Sequence, residues 1–544
     1  MKPGLAAALA AIVTVGACAS PSPPADPEGE LVSFDQEPLT LDPQKAFYIP
    51  DVGKVELLFS SLLTFDRDGK KLIPDAAAAL PEISADGLTY RLTLRAGLRD
   101  SRGHPIVAGD FVYSFQRLCD PATANDLVFP LYAIRGCERY RSEPSTATPD
   151  DLARDRAALG VSASDDRTIR FDLREPAPYF SMALTLWYAV PVSAAAVATG
   201  DRWTEAATIV GNGSFTLSEW RHRERMVFVR NEFHEPKAKL KRIVLRIGIG
   251  TPAAALAAYR AGEVDTLGVA ADIKEAVLAD PVLTRQIVRP PATCTTFYAF
   301  NVRKPPVDDP LVRLALAKSF DRATYARDML SGLAEPTRSF VPPGVPGSDP
   351  DDDAQAYDPA AARELLARSS YAGRLPPIEL AFSPSKQGSA IAQWLQGRWR
   401  TELGADVRPS PIDATTFFQF DKQPATAPHL ISRGLCVGFP DPEFFLSTGF
   451  ASRSPGGRTG YKSEAFDRLV AEADRTTDPS RRAALYRDAQ RILTKDAPAI
   501  FVASGGSWML VQPWVHGYSL TALDHVFGRL GLSELFVEKK PQKN

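Results

Sequence analysis

A chain of 544 residues exceeds what one hydrophobic core holds, so two or three domains are expected. Its 63 basic residues nearly balance 65 acidic ones, and a net charge of −2 leaves no basic excess to attract phosphate backbones, which argues against nucleic acid as a partner. With 44% hydrophobic and 24% charged residues the composition is that of a globular protein, and 46 prolines predict many turns between short elements.

At the N-terminus, Lys2 precedes an apolar run from Leu5 to Val15 that ends in Val15-Gly16-Ala17-Cys18. Spanning a bilayer takes about 20 apolar residues, so the run reads instead as the core of an export signal over residues 1–17. A branched apolar residue, two small residues and Cys is also the pattern of a bacterial lipoprotein signal. Cys18 is therefore expected to be acylated and to anchor the chain to a membrane. Residues 18–28, with SPSPPADP at 20–27, read as a disordered linker off that membrane.

Further along, apolar residues alternate at Leu88, Tyr90, Leu92 and Leu94, at Ile169, Phe171 and Leu173, and at Ile243, Leu245, Ile247 and Ile249, which is the period of half-buried strands. Turn residues collect at 303–310, 342–353 and 452–460. Helix starts follow or lie between them. Asp358-Pro359 precedes Leu365 and Leu366, Ser463 precedes Phe466, Leu469, Val470 and Ala473, and Asp478-Pro479 precedes Leu485, Ala489, Ile492 and Leu493. Interleaved strands and helices without an internal repeat predict an α/β protein of several domains.

Catalytic and metal-binding patterns are missing from the sequence. The six histidines are scattered, with no pair at i,i+4, and neither a G-x-S-x-G elbow nor a phosphate-binding G-x-x-x-x-G-K-[ST] loop is present. Ser383-Pro384-Ser385-Lys386 matches S-x-x-K, but the companion S-D-N and K-T-G elements are absent. The acidic run Asp349–Asp353 lacks the alternation and glycine of a calcium loop and reads as a solvated turn. With Cys18 set aside, Cys119, Cys137, Cys294 and Cys436 remain, an even number that favours two disulfides in an oxidising compartment. Three pairings are open, and buried free thiols are the alternative.

A series of motifs decides the reading: Pro38–Pro43 (PLTLDP), Leu62–Pro74 (LLTFDRDGKKLIP), Ala108–Arg117 (AGDFVYSFQR), Ile209–Trp220 (IVGNGSFTLSEW), Tyr259–Asp265 (YRAGEVD), Phe300–Arg322 (FNVRKPPVDDPLVRLALAKSFDR) and Phe439–Leu446 (FPDPEFFL). In kind and in order, from about Gly29 to Glu534, they resemble the oligopeptide-binding proteins of ABC importers, family 5 of the solute-binding proteins, the peptide, dipeptide and nickel class. The resemblance implies a two-lobed periplasmic-binding-protein-like fold of type II with an additional domain in the first lobe. Lobe I would comprise 29–48, 182–292 and 506–544, the extra domain 49–181, and lobe II 293–505. It further implies a monomeric receptor on the periplasmic or extracellular face, without enzyme activity, cofactor or metal. Such a receptor closes on a small peptide or peptide-like ligand and hands it to membrane permease subunits.

Matching the family's cleft-lining regions are Val32, Phe34, Tyr113, Arg433, Gly434, Leu435, Gly438, Phe439 and Asp441. The resemblance also implies a Cys294–Cys436 bridge, and with those two taken, a Cys119–Cys137 bridge. In peptide-binding relatives the loop before the P-D-P triplet reads W-x-x-D, and that Asp holds the ligand's α-ammonium. Here Leu435 stands at the Trp position and Gly438 at the Asp position, and a second aromatic expected between Ile412 and Phe417 is replaced by Ala414. Either another acid such as Asp441 or Glu443 takes the ammonium, or the ligand is not a peptide with a free N-terminus: a compact or blocked peptide, a peptide-like antibiotic, or a non-peptide solute of opine or sugar type bound by a receptor of the same fold. A surface interaction lipoprotein that has lost transport is the remaining alternative. Trp203, Trp394, Trp399, Trp508 and Trp514 offer either stacking surfaces or core.

Overall fold

A computed structural model describes residues 29–540 apart from 249, 292–293, 414–415, 418–419, 421–424, 456–458, 522, 524–530 and 539. The expected signal, the linker, Cys18 and Ala414 lie outside the described residues.

Each period-two segment becomes a strand. Thr89–Thr93 and Thr168–Asp172 pair antiparallel, with Tyr90, Leu92, Ile169 and Phe171 turned into the core, in a four-stranded sheet completed by Glu82–Ile83 and Val161–Ala163. Arg242–Ile247 lies parallel to Glu30–Asp35 at the centre of a seven-stranded sheet. The order there is Ile287–Val288, Met509–Val511, Thr266–Gly268, Glu30–Asp35, Arg242–Ile247, Arg225–Arg230, Phe215–Arg221. A second, six-stranded sheet runs Glu335–Pro336, Ala499–Gly505, Cys294–Phe300, Leu430–Cys436, Ile378–Phe382, Val407–Pro411.

These two large sheets are the centres of two lobes, and the chain crosses between them twice, from Val288 to Cys294 and back from Gly505 to Met509. The crossings touch. A Cβ on Gly506 would lie 2.7 Å from Pro290 Cγ and 2.8 Å from the Pro291 carbonyl oxygen, so only glycine lets the segments run this close. On the same crossing, the Trp508 ring carries the Arg289 guanidinium 3.9 Å from its centroid.

One face of the six-stranded sheet, with Tyr298, Phe300, Leu380 and Leu430, packs on the helices Pro310–Lys318 and Lys386–Leu403 through Leu316, Leu395 and Trp399. The opposite face carries Phe297 and Ala299, which join a core shared with the first lobe. Arg433 pairs with Phe297 and Leu435 with Thr295 across the ladder, which puts both side chains on that same face.

Helix starts follow local chemistry. Asp358 and Asp478 accept hydrogen bonds from the Ala361 and Arg481 amides at 2.9 and 2.7 Å, with proline at the first helical position of each. Ser463 caps Glu464–Arg475, which buries Phe466, Val470 and Ala473. The S-x-x-K match is itself a helix start: Ser385 accepts from the Gly388 amide, while the Lys386 side chain is 92% exposed. In the acidic run, Asp349 pairs with Arg491 and Asp352 accepts from Thr494, tying the turn to the helix Pro479–Asp496. Among the described residues no group of three or more His, Cys, Asp or Glu is placed to hold a metal ion, and no helix is long and apolar enough to cross a membrane. Both implied disulfides are present, Cys119–Cys137 and Cys294–Cys436.

Candidate functional site

Between the lobes lies a cavity of about 500 Å³. Its first-lobe wall comes from Phe47, Tyr48, Ile49 and Val52, at the start of the helix Ile49–Leu58, and from Trp187, whose indole N–H donates to the Ala46 carbonyl at 2.8 Å and so fixes the ring. The second-lobe wall comes from Phe297 and residues 432–436 on the two central strands, from Phe340 and Phe417, and from Phe444 and Phe450 on the helix Pro442–Phe450. Apolar and aromatic groups dominate, as a small-molecule site requires. Among the described residues on the wall, Arg433 is the only Lys, Arg, Asp or Glu, and its guanidinium carbon sits 4.6 Å from the centroid of the Phe417 ring.

Acids lie close behind both walls. In the first lobe, fully buried Lys54 pairs with Asp35 at 2.8 Å. Asp51, on the same helix, accepts from the Leu39 amide at 2.7 Å, and burial pushes its carboxyl up to about 7. In the second lobe, Asp441 caps the helix Pro442–Phe450 and makes two hydrogen bonds to Arg482. Glu443 is wholly buried. Its Oε1 accepts from Thr448 at 3.2 Å, and Oε2 has no hydrogen-bond partner among the described residues. Burial, with Asp474 and Asp441 nearby, holds the Glu443 carboxyl well above the usual carboxylate range. Asp474 accepts from Ser447 and Tyr486 at 2.8 and 2.6 Å, and burial pushes it up to about 6.

Of the residues matched to the family's cleft, Arg433, Gly434 and Leu435 stand on this wall. Gly438 does not; it lies between the lobes, where a Cβ would come 2.7 Å from the Phe444 ring and 2.8 Å from Leu186. Phe439 is fully buried and stacks on Tyr179 with ring centroids 6.5 Å apart, so it ties the second lobe's loop to the first lobe. Asp441 is committed to its cap and its arginine. Val32 and Phe34 point into the core around Leu256 and Tyr259, and the Val32 amide donates to Asp265. Tyr113, on the helix Ala108–Leu118, borders a separate depression with Arg117 and Asp120. The five tryptophans also stand off the wall: Trp203 and Trp399 are buried, Trp394 packs beside Phe320, and the Trp514 indole N–H donates to Asp265. The aromatic wall itself, Trp187, Phe297, Phe340, Phe444 and Phe450, carries no spacing signal that would separate it from ordinary core. The one clue is the density of phenylalanine after Pro440.

Residues 71–457 match the model of bacterial extracellular solute-binding proteins, family 5, middle region. The periplasmic murein peptide-binding protein MppA of Escherichia coli is 30% identical over 509 residues, 90% of each chain. The periplasmic oligopeptide-binding protein OppA of the same organism is 30% identical over 501 residues, again 90% of each. The probable deoxycholate-binding periplasmic protein YgiS, also from E. coli, is 29% identical over 92% of each chain. The solved structure of the E. coli murein tripeptide-binding protein MppA superposes with a TM-score of 0.83 at 27% identity, covering 94% of this chain and 99% of that one. An MppA structure in its unliganded open form covers 94% and 97% but reaches only 0.67.

Proposed function

Since the chain belongs to the bacterial extracellular solute-binding proteins of family 5, we propose that it is the receptor of an ABC importer. In this reading it captures an oligopeptide or peptide-like solute between its lobes and delivers it to the membrane permease subunits. The observation that carries this is a cavity of about 500 Å³ whose walls come from both lobes. A ligand that touches both lobes favours the closed state by its differential contacts, which is the physical basis of capture by hinge closure. The weaker likeness to an unliganded open relative supports that reading. So do the two segments, 288–294 and 505–509, by which the chain passes between the two large sheets. We take lobe I as 29–48, 182–292 and 506–544, the extra domain as 49–181 and lobe II as 293–505, with the monomer held at the extracytoplasmic face by a lipid on Cys18.

One observation favours a second reading, a non-peptide solute on the same fold. The position where peptide-binding relatives place their ammonium-holding Asp is Gly438, and Phe444 and Leu186 occupy the room its side chain would need. The relative named for deoxycholate binding fits this alternative. Native mass spectrometry of protein purified without refolding tests the receptor reading, and a retained solute is expected. An empty cleft, together with a melting temperature that no peptide or solute pool moves, would sink it and leave the surface interaction lipoprotein.

A further inference from the structure

We infer that the receptor closes with a proton: Glu443, on the second lobe's helix Pro442–Phe450, holds one while the first lobe covers it and releases it when the lobes part, so acid pH favours closing. The inference rests on the receptor reading and adds a control to the same cavity, since Phe444 and Thr448 of that helix line its wall.

Glu443 is wholly buried, and the groups around it come from both lobes. From the second lobe, Asp474 on the helix Glu464–Arg475 faces it, as do Arg482 and Tyr486 on the helix Pro479–Asp496 and Asp441 at the start of its own helix. From the first-lobe side, residues 129–133 pack on its helix. Tyr179 and Tyr188 also stand there; burial raises both phenols, and the nearby Glu443 adds to the effect. The other charges at this seam pair with one another: Glu138 meets Arg174 and, at 3.4 Å, Arg453, whose guanidinium lies over the Phe129 ring.

Geometry leaves the proton on Glu443. Asp441, Glu443 and Asp474 lie around Arg482, which directs two hydrogen bonds to Asp441. Asp474 accepts from Ser447 and Tyr486. Burial pushes Asp474 up to about 6 while those donors and Arg482 pull it down, so at neutral pH it is charged. Glu443 accepts only from Thr448, on Oε1, and no donor among the described residues reaches Oε2. A carboxylate taken out of water with one oxygen bare and a charged acid beside it is strongly disfavoured, whereas the neutral acid costs far less. When the first lobe lifts from this face, water returns to the carboxyl, which then ionises at neutral pH as glutamate ordinarily does. Closing therefore takes up a proton. Each unit of falling pH between the open-lobe and closed-lobe values of this carboxyl favours closing by up to about tenfold.

Small-angle X-ray scattering of the ligand-stripped protein from about pH 8 to pH 5.5 tests it. The radius of gyration should fall with the pH. Glu443→Gln and Glu443→Met, both neutral throughout and each checked for the parent's cooperative unfolding in urea, should keep the parent's smaller, low-pH radius across the range. Asp51→Asn should still respond as the parent does; it serves as the control because burial pushes the Asp51 carboxyl up to about 7, inside the same window. A parent radius that ignores pH, a response that persists in Glu443→Gln and Glu443→Met, or one that vanishes in Asp51→Asn overturns the inference. Adding back the solute mixture that the native protein releases on unfolding separates this from the receptor reading. A radius that falls with the mixture but not with pH overturns the inference alone, and one that responds to neither overturns both.

Discussion

Gly438 is the residue at which the family resemblance expects an acid. Restoring the acid should fail on packing, because a Cβ there already lies 2.7 Å from Phe444 and 2.8 Å from Leu186. Gly438→Asp should destabilise the fold by about 1–3 kcal/mol through overpacking. Shortening the neighbour in Gly438→Asp/Phe444→Ala should cost less than the sum of the two single effects, a coupling that urea denaturation of all three variants measures. Asp51 carries a pH signature. Burial in the folded chain pushes its carboxyl up to about 7 from 3.8 for the free group, so the native state keeps the proton to higher pH than the unfolded chain does. The stability it contributes is fully present below the lower value and lost as pH rises through the higher one, roughly 4 kcal/mol if the whole shift is realised. Asp51→Asn, which keeps an acceptor for the Leu39 amide, should therefore gain on the parent protein between about pH 4 and pH 8. Parallel unfolding curves for the two proteins across that range would rule this out. Site residues were only partly legible at this scale. Arg433 and Leu435, matched through the motif, stand on the cavity wall, whereas Val32 and Phe34, matched in the same way, pack into core: a central strand covered on both faces gives no sign of which face borders a cleft.

Whole elements were easier to read than single side chains, because their signals are local. Asp-Pro opens five helices, at Asp280, Asp309, Asp358, Asp441 and Asp478, and in each the carboxylate accepts from a first-turn amide. The same dipeptide at Asp42, Asp120 and Asp349 lies in turns, so it marks a helix only where helix-forming sequence follows. The Cys294–Cys436 bridge was readable only through family resemblance, since the four cysteines by themselves allowed three pairings. It joins residues directly opposite each other on the two central strands of the second-lobe sheet, and it closes a separation of 142 residues beside the cavity. Chain entropy alone makes such a bridge worth about 5 kcal/mol. Cys294→Ser/Cys436→Ser should lower the unfolding free energy by an amount of that order, while Cys119→Ser/Cys137→Ser, closing 18 residues, should lower it less. Denaturant titration without reductant ranks the two, and the reverse order would refute the loop-length account.

Across the whole molecule, the two-lobed plan was legible because ordered motifs carried it, but the cavity was not. Its wall is assembled from Tyr48, Trp187, Phe297, Phe340, Phe417 and Phe450, which only the folded crossing of the lobes brings together. That assembly makes closure and binding a single equilibrium. Trp187 belongs to the first lobe and is braced against Ala46, so ligand bound to the second lobe gains its contacts only when the lobes approach. Truncation by Trp187→Ala should weaken binding about thirtyfold, the scale of a buried aromatic anchor. It should also partly uncouple binding from closure, because the ligand then gains less from the first lobe. Small-angle X-ray scattering separates the two effects: the radius of gyration of the parent protein should fall on saturation with ligand, and that of Trp187→Ala should fall less at equal occupancy. A parent protein whose dimensions do not respond to a bound ligand would mean that the lobes are fixed as seen here, and that the cavity fills without a moving jaw.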